Sequence, residues 1–457
     1  MKKLRVGSGS ASWGDMMEPG VDLIEQGNIN YLGLDHLAEL TLSILQRWKA
    51  KDPTKGYIPD IIPFMKGLLP PAMKYGTKIT CNSGGANPEA AAEAVVKIGE
   101  SFGMKGLKIG VVLGDDLLDR LDEFKAQGIK FKNLDTGEED IDRVKDRIIA
   151  ANAYVGCDSI IEALAEGANV VITGRASDNA LYAGPFMYEF GWKFEEPYWD
   201  RIGAAVTVGH IIECGACCSG SMSSQWRDEV DPGNVRNPIA EMDETGETII
   251  TKIDAPGGLV NVGTVKEHLV YEVHDPSNYL MPDGIADFAS AKLEPAGESR
   301  VRVTDIKGKP RPAQLKVCMG YRDGFIGEGH VWFPAPDAFA KAQWAEKWMR
   351  RKLELMDAKY DELRIDYMGV NTLLGSTVTM PPSYAKEMNE CGLRFVVKTQ
   401  TAEEADRLKR IPTWLWTHGP IGSSFGVPLS VRPVVSLWPT LIPRELVPTR
   451  MVMKEVK

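Results

Sequence analysis

No stretch of the 457-residue sequence stays apolar long enough to span a bilayer, so a membrane partner is not expected. The N-terminus, MKKLRVGSGS, has two lysines but no apolar segment behind them, and does not read as a secretory signal. No extended Lys/Arg-rich tract occurs. The 53 basic residues face 63 acidic ones, for a formal charge of -10. A mildly acidic chain keeps itself soluble but lacks the basic face that phosphate backbones require, so nucleic acid is not expected as a partner. The seven cysteines (Cys81, Cys157, Cys214, Cys217, Cys218, Cys318 and Cys391) are odd in number and scattered, unlike a disulfide framework. They point to a reducing compartment, the cytoplasm.

Several named signatures are missing. No G-x-G-x-x-G follows an early strand; Gly7-Ser8-Gly9-Ser10-Ala11-Ser12 stops short of it, so a nicotinamide cofactor is unsupported. There is no P-loop for a nucleotide and no H-E-x-x-H for zinc. The same Gly7–Ser12 stretch matches the G-x-S-x-G elbow only loosely and out of order, which argues against a serine hydrolase. Cys214-x-x-Cys217-Cys218 has no second pair at zinc spacing and reads as a site of small-residue packing. The cofactor is therefore unknown from sequence.

What is present is a globular composition, 44% hydrophobic and 25% charged, enough for a substantial core. The length suits two or three domains at roughly 100–200 residues each. Over residues 1–190 short apolar runs alternate with helical patterns: LRVGSGSASWGD, INYLGLDHL, TKITCNSGGANP, LKIGVVLGDD and ANVVITGRASDN. This rhythm predicts an α/β fold, a mostly parallel sheet with helices on both faces. Residues 196–222 read as one helix running into a Gly/Ser/Cys-rich turn. Residues 225–335 are rich in Pro, Gly and β-formers and read as a β-rich elaboration. AFAKAQWAEKWMRRKLELM is a long amphipathic helix, and LRFVVKTQTAEEADRLKRI a strand and then a helix, before a Pro-rich tail, VRPVVSLWPTLIPREL. We expect a parallel α/β core over 1–222, a β-rich region and long helix over 223–355, and a smaller C-terminal α+β domain over 356–457. No internal repeat or low-complexity stretch is present.

In a parallel α/β sheet, ligands bind beyond the carboxyl ends of the strands. That rule selects four places. The first is Thr80-Cys81-Asn82-Ser83-Gly84-Gly85-Ala86-Asn87-Pro88. Gly84 and Gly85 allow close backbone approach, and Asn87 caps a helix whose N-terminus suits phosphate or carboxylate. A tight turn and cap would use the same residues. The second is Gly174-Arg175-Ala176-Ser177-Asp178, where Arg175 would clamp a substrate carboxylate or would pair with Asp178 to fix the loop. The third is Val208–Gly215. His210 and Glu213 lie three apart on one helical face, a spacing that serves general acid–base work, metal ligation or a satisfied buried histidine. The fourth, Tyr321–Gly329, reads as a hairpin or bulge with a polar tip. Glu272, His274 and Asp275 in YEVHDP form another polar cluster, read as structural.

Taken together, GSGSASWGD, YLGLDHLAELT, TCNSGGANPEAAAE, GDDLL, VITGRASDNALYAGPFMYEFGW, GHIIECG, PGGLVNVGTVKEHLVYEVHDP, PRPAQLKVCMGYRDGFIGEG and LIPREL resemble the acyclic terpene utilisation (AtuA) family, in order and spacing, from about residue 4 to about residue 447. The resemblance implies a cytoplasmic catabolic protein of a pathway for branched or terpenoid acids, whose neighbouring steps handle coenzyme A thioesters. It also implies a small companion subunit and so a hetero-oligomer. It carries over no catalytic residue. One departure is a loop where the family has GPAGGGG. Here it reads Gly419-Pro420-Ile421-Gly422-Ser423-Ser424-Phe425-Gly426, bulkier and more polar.

The expected function is a lyase, a hydratase or dehydratase, acting on a small branched or unsaturated carboxylic acid or its coenzyme A thioester. In it His210, Glu213 and Asp178 move protons, while Ser12, Asn82, Gly84, Gly85, Asn87 and Arg175 hold the substrate. The alternatives are a carbon–carbon lyase acting on a 3-hydroxyacyl-coenzyme A, and a non-catalytic ligand-binding subunit of a hetero-oligomer. A metal is left open, with His210, Glu213, Asp178 and Asp323 as hard or borderline ligands. Trp344, Trp348, Trp414, Trp416 and Trp438 crowd the last quarter of the chain, a composition that suits either core packing or an oligomer interface, and a homo-oligomer or a hetero-oligomer with the companion is expected.

Overall fold

The computed structural model describes residues 2–229, 231–378 and 381–457. The chain forms two compact units. The first is the chain up to Gly320 together with Leu437–Lys457, and the second is Tyr321–Ser436. The sequence reading places breaks near residues 222 and 355.

The first unit opens with β1 (Lys3–Ser10), α1 (Glu18–Gln26), β2 (Tyr31–Leu34), α2 (Glu39–Lys51), α3 (Ile61–Tyr75), β3 (Lys78–Cys81), α4 (Pro88–Ser101) and β4 (Lys108–Leu113). It continues through α5 (Leu121–Ala126), β5 (Ile148–Ala153), α6 (Asp158–Ala165), β6 (Val170–Ile172), α7 (Ala180–Phe190) and α8 (Trp199–Glu213). The β-rich stretch then supplies β7 (Ile239–Asp243), β8 (Thr248–Thr251), α9 (Val262–Leu269), β9 (Tyr279–Met281), β10 (Gly284–Asp287), β11 (Lys292–Gly297), β12 (Arg300–Thr304) and β13 (Lys307–Lys309). Next come β14 (Gln314–Pro334), α10 (Ala338–Leu355), β15 (Glu362–Met368), α11 (Pro382–Glu387), β16 (Glu390–Thr399), α12 (Ala402–Leu408) and α13 (Ile411–His418). The chain ends with β17 (Ser424–Pro443) and β18 (Arg450–Glu455).

The fold is mixed α/β. Its ten-stranded sheet has the order β11-β12-β8-β7-β1-β2-β3-β6-β4-β18. The central run β1-β2-β3-β6-β4 is parallel. Both flanks are antiparallel: β7, β8, β12 and β11 extend it beyond β1, and β18 closes it beside β4. A parallel strand is covered on both faces and so reads as a continuous apolar run. In β2, Leu32 and Leu34 enter a cluster with Leu23 of α1, Phe64 and Leu68 of α3, and Val95 of α4. The intervening Gly33 faces the other way, where any Cβ would collide with the Tyr182 ring of α7. On that second face a Cβ at Gly110 of β4 would meet Ala163 of α6.

Registers bring the strand ends into line. Ser10 lies opposite Leu34, Leu34 opposite Cys81, and Cys81 opposite Ile172. The residues that follow, Asp35, Asn82 and Thr173, therefore emerge along one edge of the sheet.

In the second unit β16 runs antiparallel between β15 and β14, with β17 at the edge beyond β14. Period-2 alternation sorts β16: Cys391, Leu393, Phe395 and Val397 face a core built with α10, while Arg394 points to Glu328 and Asp366. Ala338, Ala342, Ala345, Met349 and Leu353 form the buried stripe of α10, as its amphipathic pattern predicts.

Tyr321–Gly329 is no hairpin tip. It lies inside the long strand β14, and the glycine signal comes from Gly324 at φ 81°, where a Cβ would run into the Thr399 carbonyl. The Pro-rich tail is largely strand β17. Proline donates no ladder bond and is tolerated at a sheet edge, which is where β17 lies. Among the described residues no helix is long and apolar enough to cross a membrane.

Candidate acid–base site at the carboxyl edge of the parallel strands

All of the parallel strands empty toward one group of buried polar side chains in the first unit. From β2 come Asp35 and His36, and from β3 Asn82 and Ser83. Asn82 Nδ2 donates to Asp35 Oδ1 (2.6 Å) and its Oδ1 accepts from the His36 N–H (2.7 Å). His36 Nδ1 and Ser83 Oγ share a 2.8 Å hydrogen bond. Asn82 therefore ties two neighbouring strand ends together.

After β6 the chain turns sharply through Gly174-Arg175. A Cβ at Gly174 would overlap the Asp115 carboxylate. With glycine there, Asp115 accepts from the Arg175 N–H (2.8 Å) and from Asn152 Nδ2 (2.9 Å). The Arg175 side chain is 1% exposed. Its guanidinium donates to the carbonyls of Ala176 and Leu37, pairs with Asp178, and stacks on the Tyr154 ring at 4.5 Å. Arg175 is thus engaged chiefly by the protein itself and organises the loop.

Helix α8 supplies the other half. Gly209 lets the loop in, because a Cβ there would approach the Asn179 backbone to 2.8 Å. Asn179 therefore lies against α8 one residue before His210. Tyr182 OH donates to the Glu213 carbonyl (3.4 Å) and shares a 3.0 Å hydrogen bond with Ser8 Oγ, fixing the end of α8 to β1. His210 is 1% exposed. Its Nδ1 lies 3.5 Å from Glu213 Oε1 and 3.3 Å from Tyr279 OH. The rings of His268, Tyr279 and Phe288 surround it at 5.9, 5.1 and 5.1 Å.

Charge in this enclosure is unbalanced. Asp35, Asp178 and Glu213 interact with one another and with one cation, Arg175. Burial pushes the Asp35 carboxyl well up and the Asp178 charge adds to it, with Arg175 opposing. Glu213 is raised by burial, then by Asp178 and Glu272. Asp178 is raised by burial against the pull of Arg175. The imidazoles move the other way. Burial lowers His36, His210 and His268 to about 4 each. At neutral pH the site therefore holds neutral imidazoles beside carboxyls whose proton affinity burial raises.

Several buried polar atoms here make no hydrogen bond: Ser10 Oγ, Ser177 Oγ, both amide atoms of Asn179 and Glu213 Oε2. A buried polar atom without a partner costs about 1–3 kcal/mol, and this concentration makes the enclosure the candidate site.

The sequence-derived residues divide. His210, Glu213, Asp178, Arg175 and Asn82 meet in this site. Asn87 does not: it caps α4 and bonds the carbonyls of Pro53 and Lys55. Gly84 and Gly85 are needed for close packing, against the Thr173 carbonyl and Leu45 respectively. The N–H groups of Gly85, Ala86 and Asn87 bond to Asn82, Gly56 and Gly84, so they form no open anion cradle. Ser12 is exposed beyond β1 and its carbonyl accepts from the Asp15 N–H. Asp323 belongs to the second unit, where it pairs with Lys398 at 2.7 Å. Among the described residues no group of three or more His, Cys, Asp or Glu is arranged to hold a metal ion.

Sequence reasoning missed Asp35, His36, Asn179, Ser10, Tyr182 and Tyr279. Asp35 and His36 follow β2 directly, so the strand-end rule applied to YLGLDHL would have found them. Asn179 and Ser177 stand in the same RASDN string as Arg175. Glu272, read as structural, contributes its charge to Glu213, Asp178 and His210.

The fold and this enclosure define a mixed α/β protein with a buried cluster of ionisable side chains at the ends of its parallel strands. The family model described as acyclic terpene utilisation family protein AtuA matches residues 4–453, and the chain belongs to that family. Membership implies a role in acyclic terpene utilisation. No curated protein matches the chain. Among solved structures, an S. aureus homoserine dehydrogenase is similar at 9% identity, covering 90% of this chain and 83% of that one, with a TM-score of 0.13. A likeness that faint carries no argument.

Proposed function

We propose that the protein is a catabolic enzyme subunit, a hydro-lyase acting on a small branched or unsaturated carboxylic acid or its coenzyme A thioester. The carrying observation is the buried His210–Glu213 pair, 3.5 Å apart, with Glu213 Oε2 left without a partner. Burial keeps the imidazole neutral and able to accept a proton, and raises the proton affinity of the carboxyl, which favours the form that donates one.

Dehydration of a 3-hydroxy acid or acyl thioester needs both functions. The neutral His210 imidazole takes the hydrogen next to the carbonyl as a proton, and the electrons of that C–H bond form the double bond. The C–O bond breaks, and the Glu213 proton leaves with the hydroxide as water. The imidazolium then returns its proton to the Glu213 carboxylate. Hydration is the same path reversed. The Asn179 amide and the Ser10 and Ser177 hydroxyls hold the acid or thioester carbonyl. Asp178 and Arg175 position the loop that presents Asn179. A small companion subunit belongs to the same proposal.

The test is hydrogen exchange. A saturated branched acid and its thioester are incubated with the protein in heavy water, with and without its companion, and deuterium next to the carbonyl is followed by NMR. The proposal expects exchange that disappears in His210→Gln. Undiminished exchange in that variant, or none in the wild type with any substrate, contradicts it.

A further inference from the structure

Beyond α8 the chain makes a tight turn that the acid–base chemistry does not use. Gly215–Ser219 form a short helical turn, and Gly220 follows at φ 107°, where a Cβ would meet Leu259. Glycine takes this left-handed step without strain. The chain reverses there and returns Met222 onto Cys217, whose Sγ lies 3.6 Å from the Met222 Sδ. Cys218 is buried, whereas Cys217 and Met222 line a pocket of about 30 Å³, room for one ion or one water.

The facing wall is α9 and its exit. Thr264, Glu267, His268 and Tyr271 line the same pocket, and their spacing of three and four residues puts them on one helical face. Glu267 is already engaged. Its carboxylate accepts from Ser223 Oγ (2.6 Å), the Ser224 N–H (3.2 Å) and the Ser224 hydroxyl. His268 is different. It is 5% exposed, and its Nε2 has no hydrogen-bond partner. Stacking on Tyr271 at 5.1 Å and on His210 at 5.9 Å fixes the plane of its ring. A buried ring nitrogen without a partner is costly, and a metal ion is one of the few groups that would satisfy it.

The sulfur pair has the spacing of a chelate. Two sulfurs bonded to one metal at about 2.3 Å each, a tetrahedral angle apart, are separated by about 3.8 Å. Among the described residues no three His, Cys, Asp or Glu are arranged around one ion. Here the third donor is a thioether, and thiolate, thioether and imidazole together form a soft set that selects Cu(I) over harder divalent ions.

The geometry points to a site for one cuprous ion, held by Cys217 Sγ, Met222 Sδ and His268 Nε2. Binding breaks the Cys217 S–H bond. The sulfur electron pair forms the bond to copper, the proton leaves to solvent, and the ion keeps its oxidation state. None of the three ligands moves a proton in the hydro-lyase reading, and the site does not depend on it.

The test is anaerobic titration of the full chain with Cu(I) held by bicinchoninate, a coloured competing chelator, with Zn(II) as the contrasting ion. Wild type is expected to withdraw one Cu(I) per chain, to release one proton, and to show two sulfur neighbours at bonding distance by X-ray absorption. Met222 is 78% exposed, so Met222→Leu leaves the packing of the fold intact. That variant is expected to bind Cu(I) at least roughly tenfold more weakly, a loss that even outer-shell changes produce, and to keep a single sulfur neighbour. Cys217→Ser is expected to release no proton and to lose the withdrawal. No uptake by wild type, unchanged binding in Met222→Leu, or Zn(II) held more tightly than Cu(I) overturns the inference. Each of those results leaves the hydrogen-exchange test untouched.

Discussion

The neutral state of His210 has a consequence for stability that its replacement by glutamine isolates. In the folded chain burial lowers this imidazole from 6.5 to about 4. Because the folded value lies below the unfolded one, the unfolded chain takes up the proton first. The contribution is whole above the unfolded value and is lost as pH falls from 6.5 toward 4. Glutamine cannot titrate, so the difference between wild type and His210→Gln reports this group. It should fall by about 1.2 kcal/mol between about pH 7 and about pH 5.5, and by about 2.4 kcal/mol between about pH 7 and about pH 4.5. The His268 ring stacks on His210 at 5.9 Å and its own proton affinity is lowered by His210, so removing His210 eases protonation there and enlarges the contrast. Urea denaturation of both proteins at the three pH values measures it. A difference that stays flat with pH, or grows in favour of wild type on acidification, would refute the reasoning that His210 is buried and neutral.

Three further outcomes follow from the same geometry. Glu213→Gln should abolish turnover yet become progressively more stable than wild type as pH rises above the ordinary carboxyl range. The folded Glu213 holds its proton more tightly than the unfolded chain does, so its contribution is full at low pH and lost on raising it; paired melting curves at about pH 5 and about pH 8 check the sign. Arg175→Lys should cost about 3–5 kcal/mol in urea unfolding, since an ammonium cannot serve Leu37, Ala176 and Asp178 together and leaves buried charge uncompensated. Gly209→Ala should cost about 1–3 kcal/mol by driving Asn179 off α8, and should reduce turnover more than stability alone explains.

The parallel core was legible because strands covered on both faces leave unbroken apolar runs, each closed by a Gly, Ser or Asn turn. Helix α3 was not, since Pro70 and Pro71 sit inside it and break the helical reading of IIPFMKGLLPPAMKY. Strand β5, IIAANA, carries too little apolar contrast to stand out. At the site, His210 and Glu213 could be found because a three-residue spacing is local. Their aromatic surroundings could not. Tyr279 and Phe288 come from the β-rich stretch and reach His210 only through tertiary packing. Arg175 shows the same limit from the other side. Its position after β6 was readable, but its engagement by Leu37, 138 residues away in sequence, and by the Tyr154 ring depends on tertiary packing.

The central claim is transfer of one water, and mass balance tests it most directly. The purified chain, alone and with its companion subunit, would be incubated with branched 3-hydroxy acids, the corresponding unsaturated acids and their coenzyme A thioesters, and products followed by mass spectrometry. The account predicts a product differing from its substrate by the mass of one water, absent when His210 and Glu213 are both replaced by glutamine. Cleavage into two carbon fragments, or water transfer that survives the double replacement, would contradict it.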